Sequence, residues 1–282
     1  MLRTPRGTSA STPFTKHVER ALWGGYHADR LGFAFAAGYR AALHRLFEHA
    51  KVDVPDLAFS LAATESGGAH PRAIQTKLEG NVLRGEKTFA TLAWRADELL
   101  VVASRGETPE GRNQLVVVRV PRDAKGLVIE DRPPTPFAPE IPHAVVKLKD
   151  VAVAADAVLP GDGWDVWLKP FRTIEDTHVL AATIGYLLGV ARTYDWERVV
   201  QAELVTHALS VADIAARDPA DALTHVALAG LFAGARRLAA SVDSEWHKVA
   251  PDERERWQRD MALLLVAENA RAKRTENAFA TF

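Results

Sequence analysis

Hydrophobic and polar positions divide the chain into three textures. From His17 to Lys51 apolar residues recur at spacings of three and four, with Leu31, Phe35, Tyr39, Ala42, Leu43, Leu46 and Phe47 on one stripe. That is the period of an amphipathic helix. Val52-Asp-Val-Pro-Asp56 ends the stripe, because a residue before proline is pushed out of the helical region. From Ala58 the period shortens into strand-like runs divided by turn residues: Ala58 to Thr64, Ala73 to Leu78, Val82 to Leu83, and Lys87 to Leu92 after a Gly85-Glu86 corner. Leu99-Leu-Val-Val-Ala103 and Leu115-Val-Val-Val118 are compact β-branched runs suited to a buried sheet. The loop Gly106 to Gly111 between them predicts a hairpin. Leu127-Val-Ile129 and Ala144 to Leu148 complete the set. Arg132 to Pro142 holds too many prolines for a central strand and is expected as a loop or edge. After Gly161-Asp-Gly163 the helical period returns in four segments: Glu175 to Arg192, Trp196 to Ala216, Leu223 to Val242 and Glu253 to Phe279.

These textures predict an α+β protein. Residues 1–57 form a leader and a short N-terminal helical segment, 58–162 a central β-barrel or sandwich, and 163–282 a C-terminal four-helix bundle. The basic, Ser/Thr-rich start lacks an apolar h-region and is read as a flexible leader, not a secretion signal. The longest apolar run, Val179 to Ala191, is too short and too interrupted for a membrane span.

Composition changes this picture mainly by exclusion. The 282 residues are 48% hydrophobic and enough for a large core. With 35 basic and 36 acidic side chains the net charge is -1, so no global field favours a nucleic acid or an anionic membrane. Cysteine is absent, which removes disulfides, thiolate nucleophiles and Cys-ligated metals, and fits a cytoplasmic setting. Glu175-x-x-His178 has the spacing of a di-iron ligand pair, but no second such pair occurs and no metal is expected. His44 and His49 are expected in solvent, as is the basic run Arg271-Ala-Lys-Arg274 where it does not serve a helix C-terminal half. Six tryptophans (94, 164, 167, 196, 246 and 257) are expected as core or interface anchors.

Three stretches in order carry a resemblance: Leu61-Ala-Ala-Thr64-Glu65-Ser-Gly-Gly-Ala-His70, then Gly80-Asn-Val-Leu-Arg-Gly85-Glu-Lys87-Thr-Phe89-Ala-Thr91, then Ala96-Asp97 opening a strand. With Val145 to Gly161 as exit strand and Ile184-Gly185-Tyr-Leu-Leu-Gly189-Val-Ala191 as a first bundle helix, the chain resembles the acyl-CoA dehydrogenases over roughly residues 30 to 200. The resemblance implies a bound FAD, oxidation of an acyl thioester such as an acyl-CoA, and an electron-transfer partner, while the apolar faces of the bundle, Leu263-Leu-Leu-Val266 among them, predict a homodimer or higher oligomer. The resemblance also implies that the Ala63 backbone and Thr64 hold the pyrimidine side of the flavin, that Phe89 packs on its ring, and that Thr91 lies near its N5. His70 stands where the family has a serine that touches phosphate or substrate. Glu175 matches the place where some members carry the proton-abstracting glutamate, and Asp176 a place usually held by arginine. The alternative for Glu175-Asp176 is favourable charge at a helix start, with Thr173 as cap. The family's Arg-x-x-Phe-Gly element is not found near Gln201 to Ser210, and the chain stops at Phe282 before the family's Gly-Gly element and later glutamate. The alternative function is therefore a degenerate, non-catalytic homologue acting as a binding or partner subunit.

Overall fold

A computed structural model describes residues 14–281. The expected leader falls largely on residues 1–13, outside the described residues. The chain divides into two compact units. One comprises Leu46–Thr135 and Pro139–Phe171; the other comprises the described residues of Met1–Arg45, Pro136–Ala138 and Arg172–Phe282.

The first unit is built on one seven-stranded sheet: β1 (Phe59–Ala62), β2 (Lys77–Glu79), β3 (Val82–Thr91), β4 (Glu98–Glu107), β5 (Asn113–Pro121), β6 (Leu127–Asp131) and β7 (His143–Ala152). Its order is β1-β4-β2-β3-β7-β6, with β5 also paired to β4. The run Leu99 to Ala103 has no exposed residue, and β4 is flanked by β1 in parallel and β5 antiparallel. Successive residues of β4 are buried, so both of its faces are covered, and that is why its sequence shows no polar alternation. Gly85 does not divide two strands as its neighbours suggest. It lies within the continuous β3 at a register shift against β7, with φ +148, and a Cβ there would come 2.5 Å from Thr76 Oγ1 and 2.7 Å from Thr76 Cα. Glycine here permits a close approach of backbones rather than a chain reversal.

The second unit is helical: α1 (His17–Tyr26), α2 (Leu31–His49), α3 (Lys169–Thr193), α4 (Arg198–Ala215), α5 (Ala222–Ser241), α6 (Pro251–Asp260) and α7 (Glu268–Phe279), with the outer ends of α2 and α3 counted in the sheet unit. The stripe from His17 to Lys51 is two helices, broken after the weak helix formers Gly24-Gly25. The close packing of α1 and α2 on α3 explains those glycines. A Cβ on Gly25 would lie 1.9 Å from the Ala182 carbonyl oxygen, and one on Gly185 or Gly189 would lie 2.1 or 2.3 Å from the carbonyl oxygens of Leu22 or Tyr26.

The segment Glu253 to Phe279, expected as one helix, is α6, a 3-10 turn (Met261–Leu265) and α7. Ala267 has φ +59, which a right-handed helix cannot hold. The break is stabilised from within. Asp260, fully buried, accepts the Ala138 N–H at 2.7 Å from the proline-rich segment, and Arg271 donates to the carbonyls of Val266 and Leu264 at 2.6 and 3.1 Å. In this unit the buried rings of Trp246 and Trp257 stack and Trp196 meets Trp246 edge-on, while Trp94 is exposed. No helix among the described residues is long and apolar enough to cross a membrane.

Candidate functional site

In the sheet unit, Thr64, Phe89 and Thr91 come together because the chain leaving β1 crosses onto β3. Thr64 forms an isolated bridge with Phe89, and the Thr88 N–H donates to the Thr64 carbonyl at 2.8 Å. Ala63 beside it is buried. The Thr64 side chain is half-buried, and its hydroxyl makes no hydrogen bond among the described residues. Such a hydroxyl is open to a ligand. Phe89 is also half-buried, and Thr91 follows two residues later on the same strand. Strand β7, in register with β3 at Thr91, adds His143. Its imidazole stacks on Phe89 with ring centroids 4.2 Å apart, and its Nδ1 lies 3.2 Å from Thr91 Oγ1. The Arg132 guanidinium sits 5.3 Å from the Phe89 ring centre and donates to the Thr88 carbonyl. Burial first, and then the Arg132 charge, hold the His143 pKa below the ordinary histidine value, so the ring is neutral at pH 7. Ser60 Oγ donates to the Thr91 carbonyl at 2.7 Å and fixes the strand beneath. No local signal in the sequence marks His143; it lies 52 residues from Thr91 and is adjacent only through the β3–β7 register.

His70 lies apart from this group. It is exposed, its Nδ1 accepts from the Arg72 N–H at 3.4 Å, and its ring leans on Trp164. None of these contacts involves Phe89 or Thr91. The turn that carries it is held by Asn113, which donates to the carbonyls of Pro71 and Ile74.

Glu65 and Lys87, both inside the motif stretches, form a buried pair 2.6 Å apart. The Glu65 carboxylate also accepts the N–H groups of Gln75 and Thr76 at 2.7 and 3.1 Å. Burial alone would raise the Glu65 pKa; the Lys87 ammonium and the two amides outweigh it and bring it below the usual range. Burial lowers Lys87 to about 8 against the opposing pull of Glu65. This pair joins the loop after β1 to β3 and holds the Thr64 segment in place.

The helical unit carries Glu175. It lies in the second turn of α3, six residues after the helix begins, so it is not a helix-start carboxylate. Thr173 is likewise no cap: it sits inside the helix, where its carbonyl accepts from Thr177 Oγ1 and its hydroxyl lies 3.3 Å from His225 Nε2. Glu175 is half-buried, and no hydrogen bond or ion pair among the described residues engages its carboxyl group. Its crowded setting pushes the pKa up to about 7; Arg172 opposes the shift, Asp176 adds to it, and Arg274 opposes it.

Asp176, the neighbour, is fully engaged. Arg271 donates to Oδ1 at 3.0 Å and Arg274 forms a close ion pair with Oδ2. Burial nevertheless raises its pKa against the pull of Arg274 and Arg271. Arg271 is 8% exposed and stacks on Phe232 at 4.0 Å. The basic run expected in solvent therefore supplies a buried tie between α3 and α7, because two carbonyls, a carboxylate and an aromatic face satisfy the guanidinium at once. His44 is likewise buried, its ring 6.0 Å from that of His17. His178, one turn after Glu175, is buried with Nδ1 2.8 Å from the Ile174 carbonyl, and burial lowers its pKa to about 4. Among the described residues no group of three or more His, Asp or Glu could hold a metal ion.

Residues 60–151 match the family described as acyl-CoA dehydrogenase, middle domain. No curated protein matches the chain in sequence. Among solved structures, the chain is similar to butyryl-CoA dehydrogenase from Megasphaera elsdenii, with 15% identity, 94% of this chain and 80% of that chain covered, and a TM-score of 0.67. It is similar to TdsC from Paenibacillus sp. A11-2, solved with FMN and indole, at 15% identity, 93% and 82% coverage and a TM-score of 0.65. It is similar to FkbI, for biosynthesis of a methoxymalonyl extender unit, at 20% identity, 94% and 85% coverage and a TM-score of 0.62. The β domain thus matches the acyl-CoA dehydrogenase middle domain, and the chain that carries it has the acyl-CoA dehydrogenase fold.

Proposed function

We propose that the chain is an FAD-dependent dehydrogenase that oxidises the CH–CH bond of an acyl thioester. The observation that carries this reading is the grouping of Thr64, Phe89 and Thr91 at one place in the matched middle domain. Their chemistry fits a flavin. A flat conjugated ring needs an aromatic wall and a few fixed polar groups, and Phe89, the uncommitted Thr64 hydroxyl and Thr91 are of those kinds. Bound there, the flavin supplies a hydride acceptor. Thr64 and the Ala63 backbone would hold its pyrimidine side, Phe89 its ring, Thr91 the edge that reacts, and His70 an anionic group of cofactor or substrate.

Glu175 is the base in this reading. Its carboxylate takes the α-proton while the β-hydrogen leaves as hydride. A pKa of about 7 suits that task, since a buried carboxyl group left without donors takes up a proton more readily than one that accepts several, as Glu65 does. Acyl-CoA is the expected substrate class, an electron-transfer partner the expected acceptor, and a homo-oligomer the expected assembly.

Purified protein is titrated with FAD and then assayed with a panel of acyl-CoAs and an artificial electron acceptor. The expected result is a yellow complex whose turnover falls by roughly a hundred-fold or more in Glu175→Gln. Full turnover in that variant rejects Glu175 as base. One observation favours a second reading, that of a non-catalytic partner subunit: an imidazole and a guanidinium of the chain itself already lie against the Phe89 ring. A colourless protein that takes up no FAD decides for it.

A further inference from the structure

His143 and Arg132 complete the Phe89 cluster from a strand and a loop that the motif residues do not include. The critical contact is His143 Nδ1 to Thr91 Oγ1, at 3.2 Å. A neutral imidazole has one N–H, and a threonine hydroxyl has one hydrogen and two lone pairs. Two arrangements therefore satisfy this distance. If Thr91 donates to Nδ1, its only hydrogen is consumed within the protein. If Nδ1–H donates to Thr91, the hydroxyl hydrogen is free for an acceptor on a ligand.

Resting on the flavin reading above, we propose that His143 is a positioning residue of this site. Its Nδ1–H holds the Thr91 oxygen, so that the Thr91 hydroxyl donates to the bound ring, while its imidazole braces Phe89. Three observations hold this contact in place and uncharged, so that the imidazole tautomer alone sets which arrangement is present. The imidazole is stacked on Phe89, so its plane is fixed and Nδ1 cannot turn away. Ser60 binds the Thr91 main chain, so the strand that carries the hydroxyl is fixed as well. Burial and the neighbouring Arg132 keep the ring neutral, so Nδ1–H brings a donor without adding charge beside the ligand.

The test is a titration with FAD of the wild type, His143→Phe, His143→Asn, Thr91→Val and the His143→Phe/Thr91→Val double variant. Phenylalanine keeps a ring against Phe89 and lacks Nδ1; the asparagine amide restores a donor near that place. We expect His143→Phe and Thr91→Val each to weaken FAD binding about ten-fold, the effect of one lost hydrogen bond. The double variant should bind no worse than either single one, because both remove the same contact. His143→Asn should recover to within about three-fold of wild type. A histidine that is only structural gives losses that multiply in the double variant. That result, or a His143→Phe that binds as wild type does, or a His143→Asn as weak as His143→Phe, overturns the proposal while leaving the flavin reading intact. A wild type that binds no FAD overturns both.

Discussion

Glu65 and Glu175 are two carboxylates withdrawn from water to different ends. Glu65 accepts one ammonium and two amide hydrogens, and its charge is retained despite burial. Glu175 has no such donor, and its proton is held up to about pH 7. The contrast shows what burial alone does to an acid and how much a few donors reverse it. A fully bonded carboxylate holds the chain in place; an unbonded one costs stability when ionised and is thereby free to take a proton from something else.

The largest effect that would break the comparison is expected at Lys87. Lys87→Met leaves Glu65 without its counter-ion, and the urea midpoint should fall by an amount equivalent to roughly 3–5 kcal/mol. A loss below about 1 kcal/mol would show that the two amides suffice. Next comes Asp176→Asn, which leaves Arg271 and Arg274 without their anion. It should destabilise by about 2–3 kcal/mol in the same measurement, unless the carbonyls of Leu264 and Val266 and the Phe232 face hold Arg271 by themselves.

Glu175→Gln sharpens the comparison by having the opposite sign. The folded-state pKa is raised above the unfolded value of 4.5, so the folded state binds its proton more tightly, and stability falls as pH rises from 4.5 through 7. The glutamine variant should therefore be more stable than wild type at pH 8, by about 1–2 kcal/mol once partial exposure is discounted, and equal to it at pH 4. Equal thermal midpoints at pH 8 would sink this. The smallest effect belongs to His178, whose folded pKa of about 4 lies below its unfolded value of 6.5. Its contribution is complete above pH 6.5 and is lost as pH falls toward 4. At pH 6 the loss is just under about 1 kcal/mol, and His178→Leu should remove that part of the acid slope.

The same contrast marks how far the sequence could be read. Leu99 to Ala103 and Leu115 to Val118 announce buried strands because burial on both faces leaves no place for a polar residue. Glu65 and Lys87 stand in the motif stretches, yet nothing local says that they meet; that follows from the path of the chain between β1 and β3. Thr64, Phe89 and Thr91 are named by their order, whereas His143 is invisible until β7 is laid against β3. Arg271 misleads for a related reason. A basic run at helical spacing looks solvated, and only the break at Ala267 turns two carbonyls toward its guanidinium. Gly85 and the junction at Met261 to Ala267 are misread because glycine and alanine carry little information about the backbone they are made to follow.

The glycines of α1 and α3 have one further consequence. Where Gly25, Gly185 and Gly189 face carbonyl oxygens directly, no side chain lies between the helices that could be trimmed to accept a larger neighbour. A tryptophan in the ring stack can exchange volume with the residues around it; these positions have nothing to exchange. The least conspicuous residues of the helical unit should thus be the slowest to drift, and a library that randomises it would find its narrowest tolerance there.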